Sequence, residues 1–179
     1  MPLPLGHTAL GLITYETGTG DSAFRRWKRF VFIAVLANLP DIDVVIGLMF
    51  KWNGNAFHRG PTHSLVFALT AGFLVYFAAR RWLGIQGISY RLSAMLILSH
   101  VLADALLTDS SVSFFWPLEV YWSQGHAGWT DIVHSIIFEG FKDGWIVLCC
   151  GVGIVLIRLA RWYLVLPRSL PRPAKTNIE

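Results

Sequence analysis

The chain has 179 residues, 54% of them apolar and only 15% charged, with 16 glycines and a mean hydropathy of +0.52. Soluble domains carry about 25% charged residues, so this composition excludes a disordered chain, a nucleic-acid-binding tail protein and a soluble globular enzyme. The net charge of +4 reads as membrane orientation, with no nucleic-acid partner expected.

The N-terminus, MPLPLGHTALGLITYE, lacks a basic n-region and a small-residue cleavage site, so it is expected to be retained. Residues 5–15 follow as a short apolar helix. They are too few to cross a hydrocarbon core, which needs about 20 residues, and are expected to form a re-entrant or interfacial element, or one completed by packing. The first long run is 30–50, which carries Pro40, Asp41 and Asp43 inside it. The second is 64–79, ending at the interfacial anchor Arg80-Arg81-Trp82. The third is 92–107, with His100 and Asp104 inside, and the fourth is 145–166, with Arg158 and Arg161 near its end. The second and third runs are short and need tilt or flanking residues to span. The adjacent Cys149 and Cys150 lie inside the fourth run and read as packing residues, not as a disulfide framework or a CxxC knuckle. The fold expected is all-α: a polytopic membrane bundle of about four transmembrane helices plus a short N-terminal helix. Residues 1–166 form one domain, and 167–179 a basic, Pro-rich cytoplasmic tail.

If each run crosses, twelve of the fifteen Lys and Arg fall on one side, in 16–29, in 80–91 and from 158 onward. The other side receives Lys51, Arg59 and Lys142, and its long loop 108–144 holds five carboxylates. The positive-inside rule places the C-terminus in the cytoplasm and the loops 51–63 and 108–144 outside. In that outer loop His126 and His134 read as surface residues, and Trp116, Trp122, Trp129 and Trp145 as an interfacial belt.

Ionisable groups inside apolar runs are costly and therefore functional candidates. At 1.5 Å per residue, Asp41 lies about 16 Å above Phe30, and His100 and Asp104 lie about 12 and 18 Å above Leu92. Both runs start on the basic side, so these groups reach similar heights in the outer half of the bilayer. His58 and His63 sit in the loop joining the outer ends of the first two runs, and His7 joins them if its helix dips in from outside. His100 and Asp104, spaced i and i+4, share one helix face; the pair suits two metal ligands or a hydrogen-bonded His–Asp couple. Pro40 breaks the helix beside Asp41 and Asp43, and two carboxylates there repel unless a cation or a proton neutralises them. In His58-Arg59-Gly60-Pro61-Thr62-His63-Ser64 the histidines can wrap one centre, while Arg59 and free helix N–H groups suit an anion.

Taken in order, Gly6-His7, LPDID (39–43), HRGPTHS (58–64), SHVLAD (99–104) and FWP (115–117) resemble the YdjM-like family, described as LexA-binding, inner-membrane-associated metal-dependent hydrolases. The resemblance spans residues 6–117. It differs at Pro61, where family members often carry an aromatic residue. It implies a small inner-membrane protein with His7, Asp41, Asp43, His58, His63, His100 and Asp104 as ligands or catalytic groups, and a LexA interaction by family likeness only. Mixed imidazole and carboxylate donors suit Zn²⁺ first, with Mn²⁺ or Fe²⁺ next. Four His and three Asp exceed one tetrahedral set, so two metals bind, or one does and the remainder orient ligands and act as base. The expected reaction is hydrolysis of a small-molecule or lipid-linked substrate such as a phosphoester, with Asp43 or Asp104 as base and Arg59 holding an anionic group. The alternative is a non-catalytic membrane metal carrier or sensor built on the same ligands.

Overall fold

Helices supply all the regular structure of the computed structural model, which describes residues 3–85, 88–108 and 111–165, without the side chains of Lys142 and Val165. They are α1 (Pro4–Thr19), α2 (Trp27–Ala37), α3 (Ile42–Lys51), α4 (Leu65–Ala78), α5 (Tyr90–Leu107), α6 (Trp129–Phe138) and α7 (Gly144–Val165). The predicted basic tail, 167–179, lies outside the described residues.

Three helices are long and apolar enough to cross a membrane: α4 with the π-helical turn that prolongs it to Leu83, α5 and α7. The first apolar run forms a bent pair instead, α2 and the segment Leu39–Lys51 meeting at 59°, which makes it a broken span or a re-entrant element. The break falls where the sequence predicts it. Pro40 offers no N–H and disfavours helical backbone at Leu39. The chain passes through one 3₁₀ turn, Leu39–Asp41, before resuming as α3. Asn38 ties the break to its surroundings, donating from Nδ2 to the Ala34 carbonyl (2.8 Å) and to Thr8 Oγ1 (3.0 Å).

Two elements depart from expectation. The N-terminal helix does not stop where the apolar run stops at Tyr15. It continues to Thr19 for 16 residues, about 24 Å long, because Glu16 finds a partner. Arg158 Nε donates to Glu16 Oε2 (2.9 Å), and Arg161 Nη2 donates to the Glu16 carbonyl (2.7 Å). α1 thus runs the depth of the bundle beside α7, both helices pointing the same way, and is packed against α2, α5 and α7. The second departure is α6, a ten-residue helix inside the segment 108–144 that the sequence presents as a loop.

Without a hydrophobic drive between helices in lipid, close backbone approach is what holds them. Ala68 and Gly72, four residues apart, are the buried face of α4. A Cβ at Gly72 would lie 2.8 Å from the backbone of Ala94 on α5, so this is a small-xxx-small contact. Tyr15, Ile33, Leu36, Leu96 and Ile97 fill the interior. Outside it, Phe73, Leu74 and Phe77 of α4 and Leu156, Leu159 and Trp162 of α7 are exposed, as an apolar solvent requires. His126 and His134 are exposed, as expected of surface residues.

The helix directions gather Arg25–Arg29, Arg80, Arg81, Arg91 and Arg158 at one end of the bundle. There Asp21 pairs with Arg25 and Arg29, and the Arg29 guanidinium holds the Asp21 carboxyl below its usual range against a smaller opposing effect of burial. The predicted site residues lie at the other end.

Candidate metal centre

Four separate segments deliver the seven predicted donors to one place. α1 brings His7, the 3₁₀ turn and first turn of α3 bring Asp41 and Asp43, the loop before α4 brings His58 and His63, and α5 brings His100 and Asp104. All are buried except Asp41, whose side chain is 20% exposed.

Hydrogen bonds fix which nitrogen each imidazole presents. His100 Nδ1 lies 2.8 Å from the Ala37 carbonyl, an acceptor only, so Nδ1 carries the proton and Nε2 a lone pair. His63 Nδ1 lies 3.1 Å from Asp43 Oδ2, so Nδ1 carries a proton and, in the neutral ring, Nε2 a lone pair. These two Nε2 atoms face one another at 3.3 Å. Two lone pairs at that distance repel unless a cation or proton lies between them. Asp41 Oδ1 stands beside both, 3.3 Å from His100 Nε2 and 3.7 Å from His63 Nε2. Asp104 Oδ2 is 3.5 Å from His63 Nε2. Ligands about 2.1 Å from a common tetrahedral cation are about 3.4 Å apart, which the separations among His63, His100 and Asp41 match.

The orphaned atoms point the same way. His7 Nε2, His58 Nε2, Asp41 Oδ1 and both oxygens of Asp104 are buried without a hydrogen-bond partner among the described residues. Each such group costs several kcal/mol in an apolar setting, roughly, and a cation would satisfy them together. Three overlapping triads, His7–Asp41–His100, Asp41–His58–His63 and His63–His100–Asp104, each bring one donor atom per residue within 4.8 Å of the others. These clusters can hold a metal ion. His7 also stacks on His100 with ring centroids 3.6 Å apart, and its Nε2 is 3.5 Å from Asp104 Oδ1.

Asp43 sits behind the candidate donors. Its two oxygens face Nδ1 of His58 and of His63, each at 3.1 Å, and Thr62 Oγ1 donates to Oδ2. A carboxylate on the far nitrogen of a ligating imidazole fixes its tautomer and raises its basicity. Arg59 is buried with Nε 4.0 Å from Asp104 Oδ2, so it puts a positive charge at the edge of the carboxylate cluster.

The loop carrying His58 and His63 is held by a strap, residues 112–123. Ser113 N donates to the Arg59 carbonyl, Ser123 N to the His58 carbonyl, and Leu65 N to the Phe114 carbonyl, all at 3.0 Å. The clamp keeps Arg59 at a positive φ of 67°, costly for a side chain with a Cβ. Trp122 lies flat enough against Gly60 that a Cβ there would come within 2.2 Å of its ring. The FWP signature, whose Trp116–Pro117 bond is cis, belongs to this strap.

One positioning residue escapes sequence reasoning. Asp143, just before α7, accepts from Leu3 N (2.8 Å) and Gly6 N (2.7 Å) and so caps α1 from the far end of the chain. A Cβ at Gly6 would lie 3.0 Å from that carboxylate, which explains glycine before His7. Asp143→Ala is expected to cost about 1–2 kcal/mol, as a lost N-cap does. The thermal midpoint of the detergent-purified protein then drops by about 2–8 °C, with weaker metal retention because His7 loses its anchor; unchanged values for both would disprove the anchoring role.

A cavity of about 390 Å³ opens beside the centre, with Asp41 and His58 in its wall. Val44 and Val45 of α3, Ile132 and Ile136 of α6, and Leu3 and Pro4 make it mostly apolar.

The profile of a family described as YdjM inner membrane protein matches residues 1–167. Inner membrane protein YbcI of Escherichia coli (strain K12) is 38% identical over 123 residues, covering 65% of this chain and 68% of the relative. No solved structure matches the chain.

Proposed function

This chain belongs to the YdjM inner membrane protein family, and from that premise we propose that it is a membrane-bound, metal-dependent hydrolase acting on an amphiphilic, lipid-linked substrate. The observation that carries the reading is the pair of imidazole lone pairs facing each other at 3.3 Å beside Asp41, next to an apolar cavity. Zn²⁺ suits two or more imidazoles with carboxylates best, and Mn²⁺ or Fe²⁺ follow. A divalent cation supplies Lewis acidity and brings the pKa of water down to about 7.

The chain's own groups do the rest. His63, His100, Asp41 and Asp104 would hold the cation, with His7 and His58 completing the donor set. Asp43 orients His58 and His63. Asp104, whose Oδ2 faces His63 and whose Oδ1 faces His7, would accept a proton from water at the site through Oδ1. Arg59 balances negative charge on the substrate, as a phosphoester carries. The apolar walls along α3 and α6 receive the hydrocarbon part and keep bulk water out. In the membrane the basic end and the C-terminus face the cytoplasm, by the positive-inside rule, and the centre opens toward the outer leaflet.

The test is metal analysis of the detergent-purified full chain, followed by a panel of lipid phosphoesters, amides and esters with Zn²⁺ or Mn²⁺. One or two metal equivalents per chain and cleavage of one class are expected. Protein that binds no metal sinks the reading; metal without turnover of any class replaces it with a carrier or sensor.

A further inference from the structure

At the basic end, away from the metal centre, two cavities adjoin. One, of about 200 Å³, is lined by Arg26, Lys28, Arg29 and the turn Leu83-Gly84-Ile85. The other, of about 400 Å³, is lined by Trp27, Val31, Phe32 and Val35 along one side of α2. Lys28, Leu83 and Ile85 belong to both. We propose that together they bind one anionic phospholipid, its phosphate among Arg26, Lys28 and Arg29 and one acyl chain along Trp27, Val31 and Val35.

Charge, shape and length each point to that ligand. Arg29 is only 9% exposed, and its Nε has no hydrogen-bond partner among the described residues, although the other end of its guanidinium pairs with Asp21. Arg26 and Lys28, both exposed, line the pocket together with Arg29, and three cations around one opening suit a phosphate. Of the carboxylates described at this end, Asp21 is shared between Arg25 and Arg29 and Glu16 is paired with Arg158. The apolar groove leads directly from this pocket, and Trp27, Val31 and Val35 repeat every fourth residue along a single helix stripe. From Trp27 to Val35 the groove runs about 12 Å, close to the ~15 Å hydrocarbon depth of one leaflet. A free phosphate would use the cations and leave the groove empty; a neutral lipid would use the groove and leave the cations unmatched. Basic pockets between membrane helices favour anionic headgroups.

The site shares no residue with the metal centre, so its test is independent of the hydrolase reading. Full-length protein in neutral detergent is titrated with dioleoyl phosphatidylglycerol, dioleoyl phosphatidylcholine or inorganic phosphate, and bound lipid is read by native mass spectrometry. Phosphatidylglycerol is expected to bind about tenfold or more tighter than phosphatidylcholine, and inorganic phosphate not to displace it. Arg26→Ala with Lys28→Ala should bring phosphatidylglycerol down to the phosphatidylcholine level. Arg80→Ala with Arg81→Ala, which removes equal charge from the same end outside both cavities, should leave binding intact. Val31→Trp, which fills the groove without changing charge, should also lower it. Equal loss in the two double variants would mean diffuse attraction to a basic surface and overturn the site. Displacement by phosphate, equal binding of both lipids, or full binding by the Val31→Trp variant would overturn it as well. Arg26, Lys28, Arg80 and Arg81 are exposed, so the variants keep the fold, which helical content and elution volume check.

Discussion

Asp41→Ala is expected to empty the metal centre, weakening metal binding by more than about 100-fold, while making the metal-free protein no less stable than the metal-free parent. The two halves of this result have one cause. Asp41 Oδ1 lies within 3.9 Å of nitrogens from His58, His63 and His100, so it belongs to two of the three donor triads. It also has no hydrogen-bond partner among the described residues. Removing a ligand costs the metal its coordination, whereas removing an unsatisfied buried acceptor relieves a desolvation penalty of about 1–3 kcal/mol in the empty site. Asp43→Asn should behave differently. Its oxygens already accept hydrogen bonds, so metal affinity falls only about 10–100-fold and the metal-free protein is destabilised. Calorimetric metal titration and melting curves with and without chelator distinguish the two. An Asp41→Ala protein that keeps its metal would remove Asp41 from the ligand set.

Arg158→Ala should destabilise the bundle by about 3 kcal/mol, the lower end of the cost of breaking a buried ion pair, because it strands Glu16. Glu16 is 1% exposed, and Arg158 Nε and Nη2 both donate to its carboxylate. The arginine is half exposed, so the loss comes from the carboxylate left behind more than from the guanidinium removed. The double variant Glu16→Leu, Arg158→Leu should recover most of the stability, since an apolar pair of similar volume replaces a buried ion pair at little cost. Thermal unfolding in detergent gives both values. If the double variant melts as low as Arg158→Ala, the lost contact is packing along α7 and not charge.

Local patterns carried most of this architecture into the sequence. Three of the four apolar runs became helices long enough to cross a membrane and the first became a pair bent at 59°; Pro40 placed the break, and the counting of heights from Phe30 and Leu92 brought Asp41, His100 and Asp104 to one level. What escaped depended on partners distant in the chain. Glu16 looked like the end of an apolar run because its partner, Arg158, is 142 residues away. Asp143 was one of five acidic residues in a long loop, with nothing nearby to mark it as the cap of α1. The helix α6 buries none of its residues fully, so no burial signature separated it from its loop. The distinct position of Asp43 had a signal that was readable: residues i and i+2 do not share a helix face, so Asp41 and Asp43 address different neighbours, one the donor cluster and the other the backs of two imidazoles.

The parallel pairing of α1 with α7 sets an order in time. His7 lies on α1, yet the carboxylate that caps that helix is 137 residues further on from Gly6. At about 5–20 residues per second, that is a delay of roughly 7–27 s. During it the membrane holds a half-built bundle in which His58, His63 and His100 have emerged but α1 has no cap. The position of α1, and of the donor His7 on it, is therefore settled only once the segment that opens α7 has been made.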